Sequence, residues 1–230
     1  KAILPPDGQY PLFKDTAWDV APLPLDLLCA GALYFHSEDF KVSQDMGLYP
    51  WLVFGSPGMR AFHVLHLSDP PKGSQSLAES GFFVFRDDSA RDCLVFDAGK
   101  PCPDYLPAHA HADMFSYEWM KGGRRVVVDS GVYAYAPGKW RDFFRSTRAH
   151  NTVEIDSRNQ SEVWSSFRVA RRAKPGPVHY QASETGAVLD VSHDGYVRQG
   201  VHAVHRRVLW WEKGWFFLFF DEILGRGRIR

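Results

Sequence analysis

The stretch His109-Ala-His111-Ala-Asp113-Met-Phe-Ser-Tyr-Glu-Trp-Met-Lys121-Gly-Gly-Arg124-Arg-Val-Val-Val-Asp129-Ser-Gly131 decides how this chain is read. Two runs rich in aromatic and β-branched residues, Met114–Lys121 and Arg124–Asp129, flank Lys121-Gly-Gly123, and a glycine pair between such runs marks a tight antiparallel turn. Further short runs of the same kind are Gly81–Arg86, Asp92–Asp97, Asn151–Asp156, Val178–Ser183, Ala187–Ser192, His205–Glu212 and Trp215–Asp221. Glu184-Thr-Gly186 and Glu212-Lys-Gly214 supply two more turns. This spacing predicts a mainly β fold, an antiparallel β-sandwich from about Glu79 onward. Upstream, Leu23–Phe35 is rich in Leu and Ala after a proline-punctuated lead-in and predicts a helix, with a second short one over Gln44–Phe54. The apolar run Trp215–Phe220 is followed by no closing element, so further strands are expected to cover it.

The same stretch carries chemistry. In an extended segment His109, His111 and Asp113 would project to one side, because successive side chains alternate faces. A single strand cannot wrap a tetrahedron, so a zinc-type ion, with three or four N, S or O ligands, needs others from elsewhere. Asp129, closing one apolar run, and His150, opening another, are the natural completions. Taken alone, any of these histidines is more often a hydrogen-bonded core or surface residue. Together they read as a metal site.

Composition sets bounds on partners. With 230 residues and 45% hydrophobic content the chain can bury a sizeable core. Lys plus Arg and Asp plus Glu are both 27, so no global field argues for nucleic acid or a membrane surface, and any attraction for a polyanion is local. Cys29, Cys93 and Cys102 are odd in number and lack C-x-x-C spacing, which indicates neither a disulfide framework nor a thiolate metal site. There is no apolar run of membrane-spanning length and no signal-peptide pattern.

From about Glu79 onward, and above all in HAHADMFSYEW (109–119), VVVDSGVYAY (126–135), WRDFFRSTRAHNTVEID (140–156) and NQSE (159–162), the sequence resembles the C-terminal β domain of the heparinase II/III-like polysaccharide lyases, oligoalginate lyases included. The resemblance implies a supersandwich-like β domain over residues 76–230, truncated at its C-terminus, preceded over residues 1–75 by the tail of a helical (α/α) toroid and a linker. It implies cleavage of a uronic-acid-containing acidic polysaccharide by β-elimination, in a periplasmic or secreted setting. Carried over by motif position, His109 corresponds to the catalytic histidine and His111, Asp129 and His150 to the zinc ligands. The zinc is expected to organise the site structurally. His109 as a fourth ligand or as a partner of a ligand stays open, as does Asp113 as an orienting carboxylate or a plain salt bridge.

Tyr133 and Tyr135 are the candidates for the proton-transferring tyrosine, with Tyr135 preferred. Arg141, Arg145 and Arg148 precede His150 and could pair with substrate carboxylates or sulfates, although for any single one the first reading is a structural salt bridge. The resemblance places the remaining catalytic groups on the toroid, and nothing in residues 1–75 matches them. Heparan-type, alginate-type and bacterial exopolysaccharide substrates all remain open. Two rival readings are a zinc-stabilised carbohydrate-binding or scaffold sandwich without catalysis, and a hydrolase using metal-bound water.

Overall fold

Two strands in the middle of the sequence, FFVFR and CLVFD, are apolar without alternation, which a strand tolerates only where both of its faces are covered. The computed structural model, which describes residues 1–18, 22–69, 71–87 and 91–225, shows what covers them. In chain order its elements are helices α1 (Pro24–Tyr34) and α2 (Leu48–Val64), strands β1 (Gln75–Leu77), β2 (Phe82–Arg86), β3 (Cys93–Asp97), β4 (Tyr117–Lys121) and β5 (Arg124–Val127), and helix α3 (Lys139–Phe144). Strands β6 (Val163–Trp164), β7 (Arg168–Val169), β8 (His179–Ala182) and β9 (Gly186–His193), helix α4 (Gly195–Arg198), and strands β10 (Ala203–Glu212) and β11 (Phe216–Gly225) complete it.

Strands β1 to β5 form an antiparallel meander in sequence order, and β11-β10-β9-β8 form a second antiparallel sheet. The two sheets close face to face on Phe83, Phe85, Leu94 and Phe96 from one side and Leu189, Val191, Leu209 and Trp211 from the other, which makes a sandwich. The opposite face of β2 and β3 is covered by the N-terminal strap, where Phe13 and Ile3 pack on Val84, Cys93 and Val95. Arg86 anchors the strap by donating to the Leu4 carbonyl at 2.8 Å, and Arg125 by an ion pair to Asp7 at 2.7 Å. Residues 1–18, which composition groups with the helical part, therefore pack against the sandwich.

The β4–β5 turn has Gly122 at φ 58° and Gly123 at φ 80°, a conformation that glycine adopts without a Cβ penalty and that suits the twist of a two-residue hairpin. Eight of the nine expected strands are present with shifted ends. The ninth, over Asn151–Asp156, is not: among the described residues this segment makes one isolated bridge, Ile155 with Arg158. Its polar side chains take the carbonyls that a partner strand would otherwise engage. Asn151 Nδ2 donates to Tyr117 O at 2.9 Å and Val128 O at 2.8 Å, and Thr152 Oγ1 to Met114 O at 2.7 Å.

The first helix lies where expected. The helical stretch of α2 runs ten residues beyond Phe54, because Gly55, at φ 61° and ψ −162°, breaks the helix in a sharp kink and a second one starts directly after it. Pro57 then falls in the restarted first turn, where its missing N–H leaves no bond unmade. The Lys41 ammonium, buried under the pair, donates to Phe62 O and Leu65 O at the C-terminal end of α2. No described helix is long and apolar enough to cross a membrane.

Candidate functional site

The segment carrying the two adjacent histidines is not extended. Residues 107–116 form successive turns, with Ala110 N donating to Pro107 O at 3.1 Å and Ser116 N to Asp113 O at 3.0 Å. Phe115 closes them in the left-handed region at φ 67°, a costly place for a bulky residue, which its fully buried ring stacked on Phe96 offsets. The turn separates the histidines: His111 is buried, whereas the His109 side chain is 56% exposed.

Asp15, from the N-terminal strap, joins them again. Its Oδ2 lies 2.9 Å from His109 Nδ1 and its Oδ1 2.7 Å from His111 Nε2. Arg141 closes a two-pronged contact on the same carboxylate, with Nη2 to Oδ2 at 2.9 Å. Burial raises the Asp15 carboxyl, but the hydrogen bonds from His111, Arg141 and His109 prevail and hold it well below the usual carboxylate range. A carboxylate can only accept, so both contacting imidazole nitrogens carry protons. In its neutral form His109 keeps a bare Nε2 and His111 a bare Nδ1.

His150 ends a short 3₁₀ turn over Thr147–Ala149, and Asp129 lies just past β5. Both are buried, and His150 Nδ1 stands 2.9 Å from Asp129 Oδ1. Asp129 also accepts from Ser116 Oγ at 2.5 Å and Gly131 N at 3.1 Å. Burial raises the Asp129 carboxyl, and the neighbouring His150 outweighs it, so the net shift is downward. For His150 burial lowers the pKa and Asp129 reverses that, whereas at His111 burial and the nearby His150 prevail over Asp15 and the shift is downward. The two rings are 5.2 Å apart.

These residues fit a metal ion on one specific observation. With their other nitrogens facing Asp15 and Asp129, His111 Nδ1 and His150 Nε2 are buried atoms that meet no hydrogen-bond partner, and in the neutral form each is a free lone pair. Neutral imidazoles with a bare nitrogen, each backed by a carboxylate, are what zinc takes as ligands. Among the described residues, however, no three ligand-type side chains stand at coordination spacing. Asp129 lies against the protonated nitrogen of His150, and its oxygens are engaged. Asp113 Oδ2 is also without a hydrogen bond, with Lys14 Nζ 3.5 Å away.

All three arginines are engaged within the protein. Arg141 and Arg145 are buried, so neither reaches a substrate. Arg141 supports Asp15 and stacks against Tyr135 and Phe167 at 5.2 and 5.4 Å. Arg145 donates to Ala110 O at 2.9 Å and Ser165 O at 2.6 Å, clamping the carbonyl between the two histidines. Arg148 is partly exposed and paired with Glu154 at 2.8 Å. Of the tyrosines, Tyr135 meets His109, ring to ring at 6.1 Å, whereas Tyr133 stacks on Phe144. Burial and the Asp15 charge raise the Tyr135 phenol.

Sequence reasoning missed Lys14 and Asp15, which lie in a segment without periodicity. His109, Tyr135, Lys14, Asp15, Phe13 and Phe82 line a cavity of about 640 Å³. At the end of the histidine turn Arg207 of β10 donates to Phe115 O and Asn151 O, both at 2.8 Å, and closes a fork on Asp221 at 2.7 and 2.9 Å. His193 and His205, both buried, continue this support outward to Asp221 at the surface, with nitrogen contacts of 3.1 and 2.7 Å.

The sequence profile described as "Heparinase II/III-like, C-terminal" matches residues 69–230, well over half of the chain. The chain belongs to this heparinase II/III-like family. Among curated family relatives it is 32% identical over 92 residues to a heparin-sulfate lyase of Pedobacter heparinus, covering 37% of this chain and 13% of that protein. It is 27% identical over 158 residues to a heparin-sulfate lyase of Bacteroides stercoris, covering 66% of this chain and 21% of that one. The crystal structure of heparan sulfate lyase HepC from Pedobacter heparinus superposes with a TM-score of 0.69 at 20% identity, over 98% of this chain and 31% of HepC. The fold is therefore shared over 98% of the chain, which spans less than a third of each of these three relatives.

Proposed function

We propose that this chain forms one wall of the cleft of a polysaccharide lyase that cleaves a uronic-acid-containing acidic polysaccharide by β-elimination. Among the candidate polysaccharides, the names of the relatives favour a heparan-type glycosaminoglycan. One observation carries the reading: Asp15 fixes the Nδ1–H tautomer of a half-exposed His109 beside Tyr135, on a cavity. His109 Nε2 is thus a base aimed away from its carboxylate, and a phenol pushed upward stays protonated and able to donate. In the proposed reaction Nε2 takes the C5 proton, the C4–O4 bond breaks as the C4–C5 double bond forms, and Tyr135 gives its proton to the leaving O4. Solvent exchange then returns both groups to their starting state. Neutralising the C6 carboxylate falls to a group outside this chain.

A zinc ion held by His111 and His150, with Asp129 backing His150 from behind, belongs to the same proposal. When bound, it supplies fixed positive charge and pins the ends of three segments. The histidine turn and the Tyr135 loop then stay in register.

The full-length protein should convert heparan sulfate to products absorbing in the near ultraviolet, the signature of the unsaturated uronate. His109→Ala should remove most of that activity. Saccharide binding without any unsaturated product would favour the passive binding module, and products lacking the double bond would favour a hydrolase.

A further inference from the structure

The cavity at His109 is not isolated. A second, of about 300 Å³, shares Lys14, Phe82 and His109 with it, and a third, of about 350 Å³, shares Lys100, Pro101 and Cys102 with the second. The three form one groove that starts at Tyr135 and passes along the Lys100–Leu106 segment. It ends among Lys100, Arg171, Arg172, Lys174 and Arg198.

Charge is unevenly shared along this groove. At its far end Arg171 pairs with Glu162 at 2.7 Å, Arg172 with Asp104 at 3.1 Å and Arg198 with Asp194 at 2.7 Å. Five cations face three carboxylates, an excess of two in a chain whose formal charge is zero. The excess resides on Lys100 and Lys174, both exposed, whose ammonium groups have no hydrogen-bond or ion-pair partner among the described residues. A concave wall with unsatisfied ammonium groups and guanidiniums held in place by carboxylates concentrates anions, and the paired arginines keep free N–H groups that can be shared with a ligand.

We propose that this basic end is a distal subsite for an anionic group, a sulfate ester or a uronate carboxylate, on the same saccharide chain whose reactive unit lies at His109. The inference rests on the lyase reading for its ligand but not for its chemistry. It makes the groove an extended one, so chain length governs affinity, while the bond-breaking residues lie wholly at the other end.

The test is calorimetric titration of the full-length protein with a heparan sulfate octasaccharide, its desulfated counterpart and a disaccharide, at low salt. Lys100→Glu and Lys174→Glu, which remove exposed and unpartnered ammonium groups, should each weaken the octasaccharide by about tenfold or more, the worth of one charged hydrogen bond. In Lys174→Glu, whose side chain lines only the far cavity, the disaccharide and the turnover at saturation should be unchanged. Arg124→Glu, on an exposed strand that lines none of the three cavities, controls for net charge and should have little effect. A difference that disappears with the desulfated chain identifies the sulfate as the ligand, and one that persists identifies the carboxylate. Equal octasaccharide affinity in wild type and both lysine variants overturns the inference, as does an equal loss in Arg124→Glu. If the lysine effect holds while no unsaturated product forms, the subsite stands and the lyase reading fails.

Discussion

Asp15 Oδ1 and His111 Nε2, 96 positions apart in sequence, are 2.7 Å apart in space, and the same carboxylate also holds His109 and the buried Arg141. Removing it leaves a guanidinium buried without a counter-charge. Asp15→Ala should therefore cost about 3–5 kcal/mol of stability, read by denaturant titration. Asp15→Asn keeps the shape but no longer dictates the His109 tautomer, and turnover of the full-length protein should fall about 10–100-fold. Unchanged turnover in the Asn variant would remove Asp15 from the positioning role.

The two tyrosines should separate cleanly. Tyr135→Phe deletes the hydroxyl beside His109 and should lower turnover on the order of 10²-fold or more. Tyr133→Phe, whose ring packs on Phe144 and is otherwise exposed, should change it little. The reverse order would assign the proton transfer to Tyr133.

Elemental analysis of the protein purified without chelator should find close to one zinc per chain, and His111→Ala or His150→Ala should abolish it. In the same proposal chelation lowers the melting temperature, because the binding free energy is folding free energy. Asp129→Ala should lose both metal and stability, since it also leaves Ser116 Oγ and His150 Nδ1 without their acceptor. Protein free of metal with both bare imidazole nitrogens intact would sink this assignment.

Acid stability has a defined sign. Burial pushes His193 well below its ordinary value of 6.5, helped by His205 and Arg207, and burial likewise lowers His205. Both stay neutral when folded and bind protons more readily when unfolded, so their contribution is complete above about pH 6.5 and declines as pH falls. At Asp221 burial acts upward, but the contacts from His205 and Arg207 win and hold the carboxyl low, so its share is lost below its ordinary value of 3.8. Unfolding free energy should thus fall from pH 7 to 5 and fall again below pH 4. His193→Gln should flatten the first slope; an unaltered slope would mean that other histidines set it.

Much of the fold is legible because its strands carry their own pattern. FFVFR and CLVFD announce cover on two faces, and the glycine pair at 122–123 fixes the β4–β5 reversal. The alternation of β10 is legible only in part, since its inward row includes His205 and Arg207, polar residues that the core accepts because Asp221 and two carbonyls satisfy them. At the site, the grouping of His111, Asp129 and His150 follows from run ends. Asp15 was invisible because its partners are about a hundred residues away and no local periodicity marks it. The roles of Arg141 and Arg145 stay open in the sequence for a related reason: only tertiary contact reveals that carbonyls and one carboxylate surround them.

The N-terminal strap has a consequence for recombination. A junction drawn near residue 75, where composition changes from helical to β, would leave behind the residue that fixes both histidines of the turn. A chimera that borrows this sandwich would have to take residues 1–18 with it, or supply a carboxylate from its host at the same spot.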